Sequence, residues 1–542
     1  MTHTARLSAS IVAGVLLAIA GGTAAKAETT GCEQLTGLKF PASSISLPSS
    51  GGEVTAARMV QDGEGGKANG AYCRVQGAIL PADPKAPRIL WQVNLPEHWN
   101  HKAVQFGGGG YNGNIPDTLG PVVLGSELSA TPLARGFITF ASDSGHQAPD
   151  ADDASFALND EALENFGWQH IRKTLDAMRV VAKAHYGEAP RRTYFTGGST
   201  GGREALTAAS RWPEAYDGIL SNYPTAAFMG LRLWGAVLTR AVYDDESAGW
   251  IPPKLVNQIA AEALKSCDAL DGAADGLVSN PDACRAKAPA LLESLRCKPG
   301  ATSPDCLSPL QVERSIAVYH DGYKLPYQLA NGFQTYPGYN SLEGITMQLG
   351  SQSAYLNPPV SGPNAHHSSR ADQFMRYFVA RKTDLDIRNI NVLVPGPYTD
   401  RIIQLSKMID ATNPDFTKFA AYGGKIILLQ GDDDPSVSPL VNRGLYEAVV
   451  AHSGQQAADK FMRFYLVPGL AHGGGRFSPV WENLTALDNW VENDVPPAGQ
   501  VIVDGTKTAT RGRTRPLCDY PTWPKYKGSG DINAAASFTC ER

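Results

Sequence analysis

The sequence predicts an α/β fold, a mostly parallel sheet flanked by helices and interrupted by one large inserted segment. Three observations carry this reading. Short apolar runs bounded by Pro, Gly or Asn alternate with helix-like stretches. One such run, at 194–196, passes through a glycine turn carrying Ser199 into the helix-like Gly-Gly-Arg-Glu-Ala-Leu at 201–206. More than 200 residues then separate Ser199 from the acidic turn at 431–435, more than a few strand and helix units require.

Taken in order, the chain opens with Arg6, an apolar run over 11–20 and Ala25-Lys26-Ala27 before Glu28. This is the pattern of a secretory leader with a small-residue cleavage site, so residues 1–27 are expected to be removed and the protein exported to a periplasmic or extracellular destination. No other run approaches the ~20 apolar residues of a membrane span. With 48 Lys and Arg against 53 Asp and Glu the net charge is -5. No block of like charges stands out, which argues against a nucleic-acid partner. The eight cysteines are an even number suited to an oxidising compartment. Proximity along the chain suggests Cys32 with Cys73, Cys267 with Cys284, Cys297 with Cys306 and Cys518 with Cys540, although spacing alone leaves the connectivity open.

Strand-like segments follow at 89–95, 103–106 and 137–141, then a helix-like stretch at 170–185. The second of these runs into Gly107-Gly108-Gly109-Gly110, where the lack of side chains lets backbone N–H groups approach a substrate oxygen. That is one half of an oxyanion hole, with the amide of Thr200 as the other half; a plain surface turn is the alternative. A phosphate loop is disfavoured because no Lys-Ser or Lys-Thr pair closes the run.

The turn Gly197-Gly198-Ser199-Thr200-Gly201 has the G-x-S-x-G form of a nucleophile elbow, in which a tight strand-to-helix turn leaves no room for β-carbons beside the serine. Five residues in a chain with 55 glycines are weak support by themselves. Order strengthens them, because an α/β-hydrolase presents serine, then an acid, then histidine, each after a strand. The apolar run 425–430 opens into Asp432-Asp433-Asp434-Pro435, and the run 464–467 opens into the glycine-rich loop that carries His472. Serine attack needs a base to take its proton and an acid to orient that base. Ser199, His472 and Asp434 meet this need, with Asp432 and Asp433 as competing choices for the acid.

The insertion, placed at 225–418 between catalytic segments 28–224 and 419–542, is read as a lid domain. Within it, Asp268, Asp271 and Asp275 recur among glycines in a stretch bounded by Cys267 and Cys284. Such a loop suits a hard cation with oxygen ligands, calcium above all, or else is only an acidic, disulfide-closed surface loop.

These motifs together resemble the tannase and feruloyl esterase family, which includes mono(2-hydroxyethyl) terephthalate hydrolases. The likeness spans nearly all of the expected mature chain. It rests on Gly-Ser-Thr-Gly-Gly-Arg-Glu at 198–204, Cys-Asp-Ala-Leu-Asp-Gly-Ala-Ala-Asp-Gly at 267–276, Gly-Asp-Asp-Asp-Pro at 431–435 and Val-Pro-Gly-Leu-Ala-His at 467–472. It rests also on Arg-Thr-Arg-Pro-Leu-Cys-Asp-Tyr-Pro at 513–521 and Tyr-Lys-Gly-Ser-Gly-Asp-Ile-Asn at 526–533. The resemblance implies an α/β-hydrolase core with Ser199 as nucleophile, His472 as base and Asp434 as its orienting acid. It implies an oxyanion hole from the amides of Thr200 and Gly110. It further implies a structural calcium held by Asp268, Asp271 and Asp275 and by the carbonyls of Ala273 and Leu277. The four nearest-neighbour cysteine pairs match the bridges usual in that family.

One departure is visible. The family commonly carries cysteines just before the serine and just after the histidine, joined as a clamp; here those positions are Gly198 and Gly473. Neither sulfur takes part in proton transfer, so the triad stands, held by packing alone and expected to open more readily on heating. The expected function is a secreted serine carboxylic ester hydrolase acting on aromatic, hydroxycinnamoyl or galloyl esters through an acyl-enzyme. The alternatives are a terephthalate monoester hydrolase and a non-catalytic, calcium-stabilised binding protein. Arg370, Phe374, Arg376, Tyr377 and Phe378 offer aromatic and cationic groups to a substrate, but a helix packed on the core explains them equally well.

Overall fold

The computed structural model describes residues 1–2, 30–64, 68–148, 150–301 and 303–542. The expected leader and its cleavage point at Glu28 lie outside the described residues, apart from residues 1 and 2. Strands form where β-branched and aromatic residues are buried on both faces, as in Ile138–Ser142 and Gly218–Asn222, every residue of which is buried.

In chain order the strands are β1 (Lys39–Phe40), β2 (Gly52–Val60), β3 (Tyr72–Ile79), β4 (Ile89–Pro96), β5 (Lys102–Phe106) and β6 (Ile138–Ser142). They continue with β7 (Arg192–Gly198), β8 (Gly218–Asn222), a short hairpin of β9 (Tyr323–Lys324) and β10 (Thr335–Tyr336), then β11 (Lys425–Gly431) and β12 (Met462–Val467). All of these but the hairpin join one sheet in the order β1-β2-β3-β4-β6-β5-β7-β8-β11-β12, and shorter strands within 479–541 form two small sheets of their own. The strands from β1 to β4, and β4 with β6, pair antiparallel; from β6 onward every pairing is parallel. This is an α/β-hydrolase sheet. The antiparallel β1 to β3 and the short β8 carried no expectation in the sequence.

The parallel half places three turns at one sheet edge, the carboxyl ends of β5, β7 and β11, which is where open α/β sheets build their sites. Between β8 and β11 the chain leaves the sheet at Asn222 and returns at Lys425, with a mainly helical segment between them. Its helices do not stand apart from the sheet domain. Phe228, Phe374 and Phe378, all fully buried, pack with Tyr111 and Phe166 from the segments before Ser199. Burying each such ring contributes about 1.5–3 kcal/mol, so this aromatic cluster ties insertion to core. Phe374 and Phe378 are therefore packing residues.

Arg203, in the helix Thr200–Arg211, adds a polar tie. It is fully buried and donates to the carbonyls of Gly167 at 2.7 Å, Phe166 at 3.2 Å and, in the insertion, Ile409 at 3.0 Å. Four disulfides join the pairs suggested by proximity: Cys32–Cys73, Cys267–Cys284, Cys297–Cys306 and Cys518–Cys540. Among the described residues no helix is long and apolar enough to cross a membrane.

Candidate active site

Ser199 sits between β7 and the helix Thr200–Arg211 with φ 58° and ψ -122°, a conformation costly for a residue with a side chain. The glycines around it are required by contact. A β-carbon on Gly197 would lie 2.3 Å from the Gly201 carbonyl carbon, and one on Gly201 would lie 2.7 Å from the Gly108 carbonyl oxygen. The glycine run and the elbow are thus in backbone contact, joined by the Gly201 N–H donating to Gly108 O at 3.0 Å.

Within this contact the amides divide into those in use and those left over. Ser199 N–H donates to Asn222 O and Gly107 N–H to Thr196 O, while Gly108 N–H donates to the Glu204 carboxylate. Among the described residues, the N–H groups of Thr200 and Gly110 donate to no protein acceptor, and the Thr200 hydroxyl donates to Gly110 O at 2.6 Å, joining the two loops. Thr200 also begins a helix, whose dipole favours negative charge there. Glu204 underlies the arrangement. Fully buried, it accepts from Gly108 N–H at 3.1 Å and Asn112 Nδ2 at 2.6 Å and lies 3.4 Å from His170 Nε2. Burial works to raise its carboxyl, but His170, Arg203 and Asn112 outweigh it and hold the group below its ordinary value.

Of the three consecutive acids, backbone geometry turns only Asp434 toward the histidine. Its Oδ2 accepts from His472 Nδ1 at 2.9 Å, and its Oδ1 accepts from the amides of Ser436 at 2.8 Å and Val437 at 2.9 Å. Asp433 instead pairs with Arg476 at 2.9 Å, and Asp432 is buried with its carboxyl pushed well up by that burial and by Asp433. Ser199, Gly110 and His472 line one cavity of about 280 Å³. Among the described residues no hydrogen bond joins Ser199 to His472; nucleophile–base bonds of this kind commonly align fully only in the substrate complex.

Three residues at the site had no expectation in the sequence. Glu204 stood inside the elbow motif unremarked. Tyr223, at φ 34° just after β8, is buried beside His472 with ring centroids 4.9 Å apart. Arg232, in the helix Phe228–Ser247, lines the cavity together with Arg370. A lone cation among Phe, Met, Leu and Trp was the available signal for it. Arg232 is 3% exposed, its guanidinium 4.5 Å from the Phe228 ring centre and 5.0 Å from that of Tyr111. Its buried Nε has no partner, and among the described residues it forms no ion pair. Cation–π contacts return ~0.5–2 kcal/mol, whereas burying an ion costs several kcal/mol, so the ring contacts alone leave this charge under-compensated. Arg370 differs, because Asp152 pairs with it at 2.7 Å. The neighbouring His366 is pushed down to about 3, chiefly by burial and then by Arg370 and Arg232, so it stands neutral. Arg376 points away into an ion pair with Asp372 at 2.8 Å.

The acidic loop of the insertion folds around its own carboxylates. Asp268 accepts from the amides of Asp275 and Gly276, Asp271 from that of Ala273 and Asp275 from that of Leu277. Arg515 holds the second Asp275 oxygen and Arg513 its carbonyl. Asp271 Oδ2 is buried with no hydrogen-bond partner among the described residues. Among the described residues no three acidic, His or Cys side chains converge as a ready-made metal cluster. The oxygen-rich donor set and the orphaned Asp271 oxygen fit a hard cation.

Residues 73–541 match the family model described as tannase and feruloyl esterase. The chain is 60% identical over 511 residues to an uncharacterised esterase of Agrobacterium fabrum, covering 94% of this chain and 92% of that one. It is 32% identical over 523 residues to the mono(2-hydroxyethyl) terephthalate hydrolase of Piscinibacter sakaiensis, covering 86% and 84%. Among solved structures, feruloyl esterase B from Aspergillus oryzae superposes with a TM-score of 0.73 at 22% identity, over 90% of this chain and 97% of that one.

Proposed function

The chain belongs to the tannase and feruloyl esterase family and is a carboxylic ester hydrolase, and from that premise we propose that it cleaves aromatic esters through an acyl-enzyme on Ser199. The carrying observation is the Asp434–His472 hydrogen bond aimed into the cavity that Ser199 shares. Asp434 fixes the imidazole with Nδ1 protonated, leaving Nε2 to take the serine proton as Oγ attacks the ester carbon. The free amides of Thr200 and Gly110 receive the charge that develops on the carbonyl oxygen. His472 returns its proton to the departing alcohol, then activates the water that releases the acid. In the runner-up reading the triad is inert and the protein only binds; the strained φ of Ser199, retained beside unused amides, favours catalysis.

Hydroxycinnamoyl or galloyl esters are the proposed substrates, on the strength of the feruloyl esterase relatives and a cavity sized for one ring. The insertion, which contributes Leu231 and Arg370 to that cavity, is proposed as the lid that selects among them. Calcium, held by Asp268, Asp271 and Asp275 with the carbonyls of Ala273 and Leu277, is proposed as a structural ion neutralising the loop. Export is proposed from the leader pattern and supported by the four disulfides.

The test is hydrolysis of methyl ferulate, methyl gallate, chlorogenate and mono(2-hydroxyethyl) terephthalate by the mature protein and its Ser199→Ala variant, with fluorophosphonate labelling alongside. Turnover of an aromatic ester that disappears with Ser199 supports the reading. Absence of labelling at Ser199 in the folded protein overturns it.

A further inference from the structure

The turn that carries Asp434 is held from two sides. Asp434 Oδ1 accepts from the amides of Ser436 at 2.8 Å and Val437 at 2.9 Å, an Asx-type turn that the local chain makes by itself. The carbonyls of the same two peptide units are taken by the insertion. His367 Nε2 donates to Pro435 O at 3.0 Å, and the Tyr339 hydroxyl donates to Ser436 O at 3.3 Å. In a trans peptide the N–H and C=O point opposite ways, so a donor that pins the carbonyl also aims the amide. The Pro435–Ser436 and Ser436–Val437 peptides thus each link a side chain of the insertion to the carboxylate that faces His472.

His367 is built as a fixed mount. It is 2% exposed, and its ring meets those of Trp234 and Tyr339 with centroids 5.0 and 6.0 Å away. Its helix, His366–Gln373, lies against the helix Phe228–Ser247 at Gly235, where a β-carbon would stand 2.5 Å from the His367 carbonyl oxygen. Burial holds the imidazole well below its ordinary value, and Nδ1 is buried with no hydrogen-bond partner among the described residues. A carbonyl can only accept, so the ring is neutral with its one proton on Nε2. Further bonds follow the same seam. Asn340 Nδ2 donates to Asp432 O at 3.2 Å, the Ser438 hydroxyl donates to Gly338 O, and Arg476, itself paired with Asp433, donates to Gly344 O at 3.0 Å.

We propose that the insertion positions the catalytic acid: His367, seconded by Tyr339, fixes the two peptides that aim Asp434 at His472. Both are positioning residues, because their hydrogen bonds to the turn act through Asp434. The insertion then contributes to kcat as well as to the choice of ester. This deepens the proposed function and rests on Asp434 being the acid of that mechanism.

His367→Met removes the donor at similar side-chain length, and His367→Gln returns an amide N–H to about the place of Nε2. Kinetics on the best-cleaved ester of the panel, corrected for the folded fraction, read both. We expect kcat of the Met variant to fall about tenfold or more with KM within about twofold of wild type, and the Gln variant to regain most of that loss. In an Asp434→Asn background His367→Met should cost less than about twofold, because the carboxylate through which it acts is already gone. Tyr339→Phe, which deletes only a hydroxyl, should lower kcat about threefold with KM unchanged, and it decides the question should the His367 variants fail to fold. Wild-type kcat in the folded Met variant, or in Tyr339→Phe where that variant alone folds, overturns the proposal. So does an equal loss from His367→Met with and without Asp434. In each of these cases a large loss from Asp434→Asn alone leaves the esterase mechanism standing; no loss from Asp434→Asn would sink both.

Discussion

The ring of Tyr223 meets the His472 imidazole nearly edge-on, 4.9 Å between centroids at 61°. A β-carbon on Gly198 would lie 2.6 Å from this ring, and one on Gly473 would lie 3.3 Å from its hydroxyl. The phenol therefore fills the space between the two positions where a clamp of cysteines was expected to be missing. Tyr223 thus packs against both the serine and the histidine loops.

Tyr223→Ala is expected to lower kcat by about tenfold or more, with KM less affected, because the histidine loop loses its backing. Tyr223→Phe keeps the ring and should retain most activity. Cysteines at 198 and 473 should destabilise the wild type, since the first collides with Tyr223 and the second stands at φ 80°. Thermal inactivation rates of the three variants check this; an undisturbed Tyr223→Ala enzyme would show the ring to be incidental.

Asp434→Asn should cost about 10³-fold or more in kcat, as the imidazole loses its orienting acid. Asp433→Asn, which loses only an ion pair with Arg476, should stay within about tenfold of wild type. Steady-state kinetics on one ester separate the two; equal losses would contradict the geometry.

Glu204→Gln replaces an acceptor of two hydrogen bonds with a group that turns one donor against another. Each buried donor left unpaired costs roughly 1–3 kcal/mol, and the Gly108 amide sits in the glycine run leading to Gly110. A loss of stability is expected together with a fall in kcat of about ten- to a hundredfold, read by thermal melting and kinetics on the folded fraction.

Burial pushes the Asp410 carboxyl up to about 7, against hydrogen bonds from the Met229 and Phe228 amides and the field of Arg203. The folded protein thus keeps a proton that the unfolded chain releases above its ordinary value of 3.8. Stability present below that value is lost as pH rises toward about 7 and does not change further above it. Asp410→Asn removes this titration, so the melting temperature of the variant minus that of the wild type should climb across the window. Parallel curves from pH 4 to 8 would refute it.

Removing calcium with a chelator should lower the melting temperature of the wild type, and adding calcium should restore it, because an ion bound only by the folded loop stabilises by mass action. Asp271→Asn should abolish that response. A wild-type melting temperature indifferent to calcium and chelator would remove the ion from the account.

The elbow at Ser199, the order of serine, acid and histidine and the parallel strands beside them were legible in the sequence because each is a local signal. Glycines appear where contact forbids a β-carbon, and buried strands read as unbroken apolar runs. The choice of Asp434 was made against Asp432 and Asp433 as competitors, since three adjacent carboxylates look alike until the backbone turns one toward His472. β8 was missed because five residues ending in Ser and Asn carry too little pattern, although its Asn222 carbonyl anchors the Ser199 amide. Residues 370–378 read equally as substrate contacts or core, and burial sorted them: Phe374 and Phe378 into the aromatic cluster, Arg376 onto Asp372, Arg370 into the cavity. What the sequence by itself determined was the fold class and the reactive groups. Only the tertiary structure decided what surrounds them, Tyr223 behind the histidine, Glu204 beneath the glycine run and Arg232 in the cavity without an ion-pair partner among the described residues, because burial and charge partners arise between segments far apart in the chain.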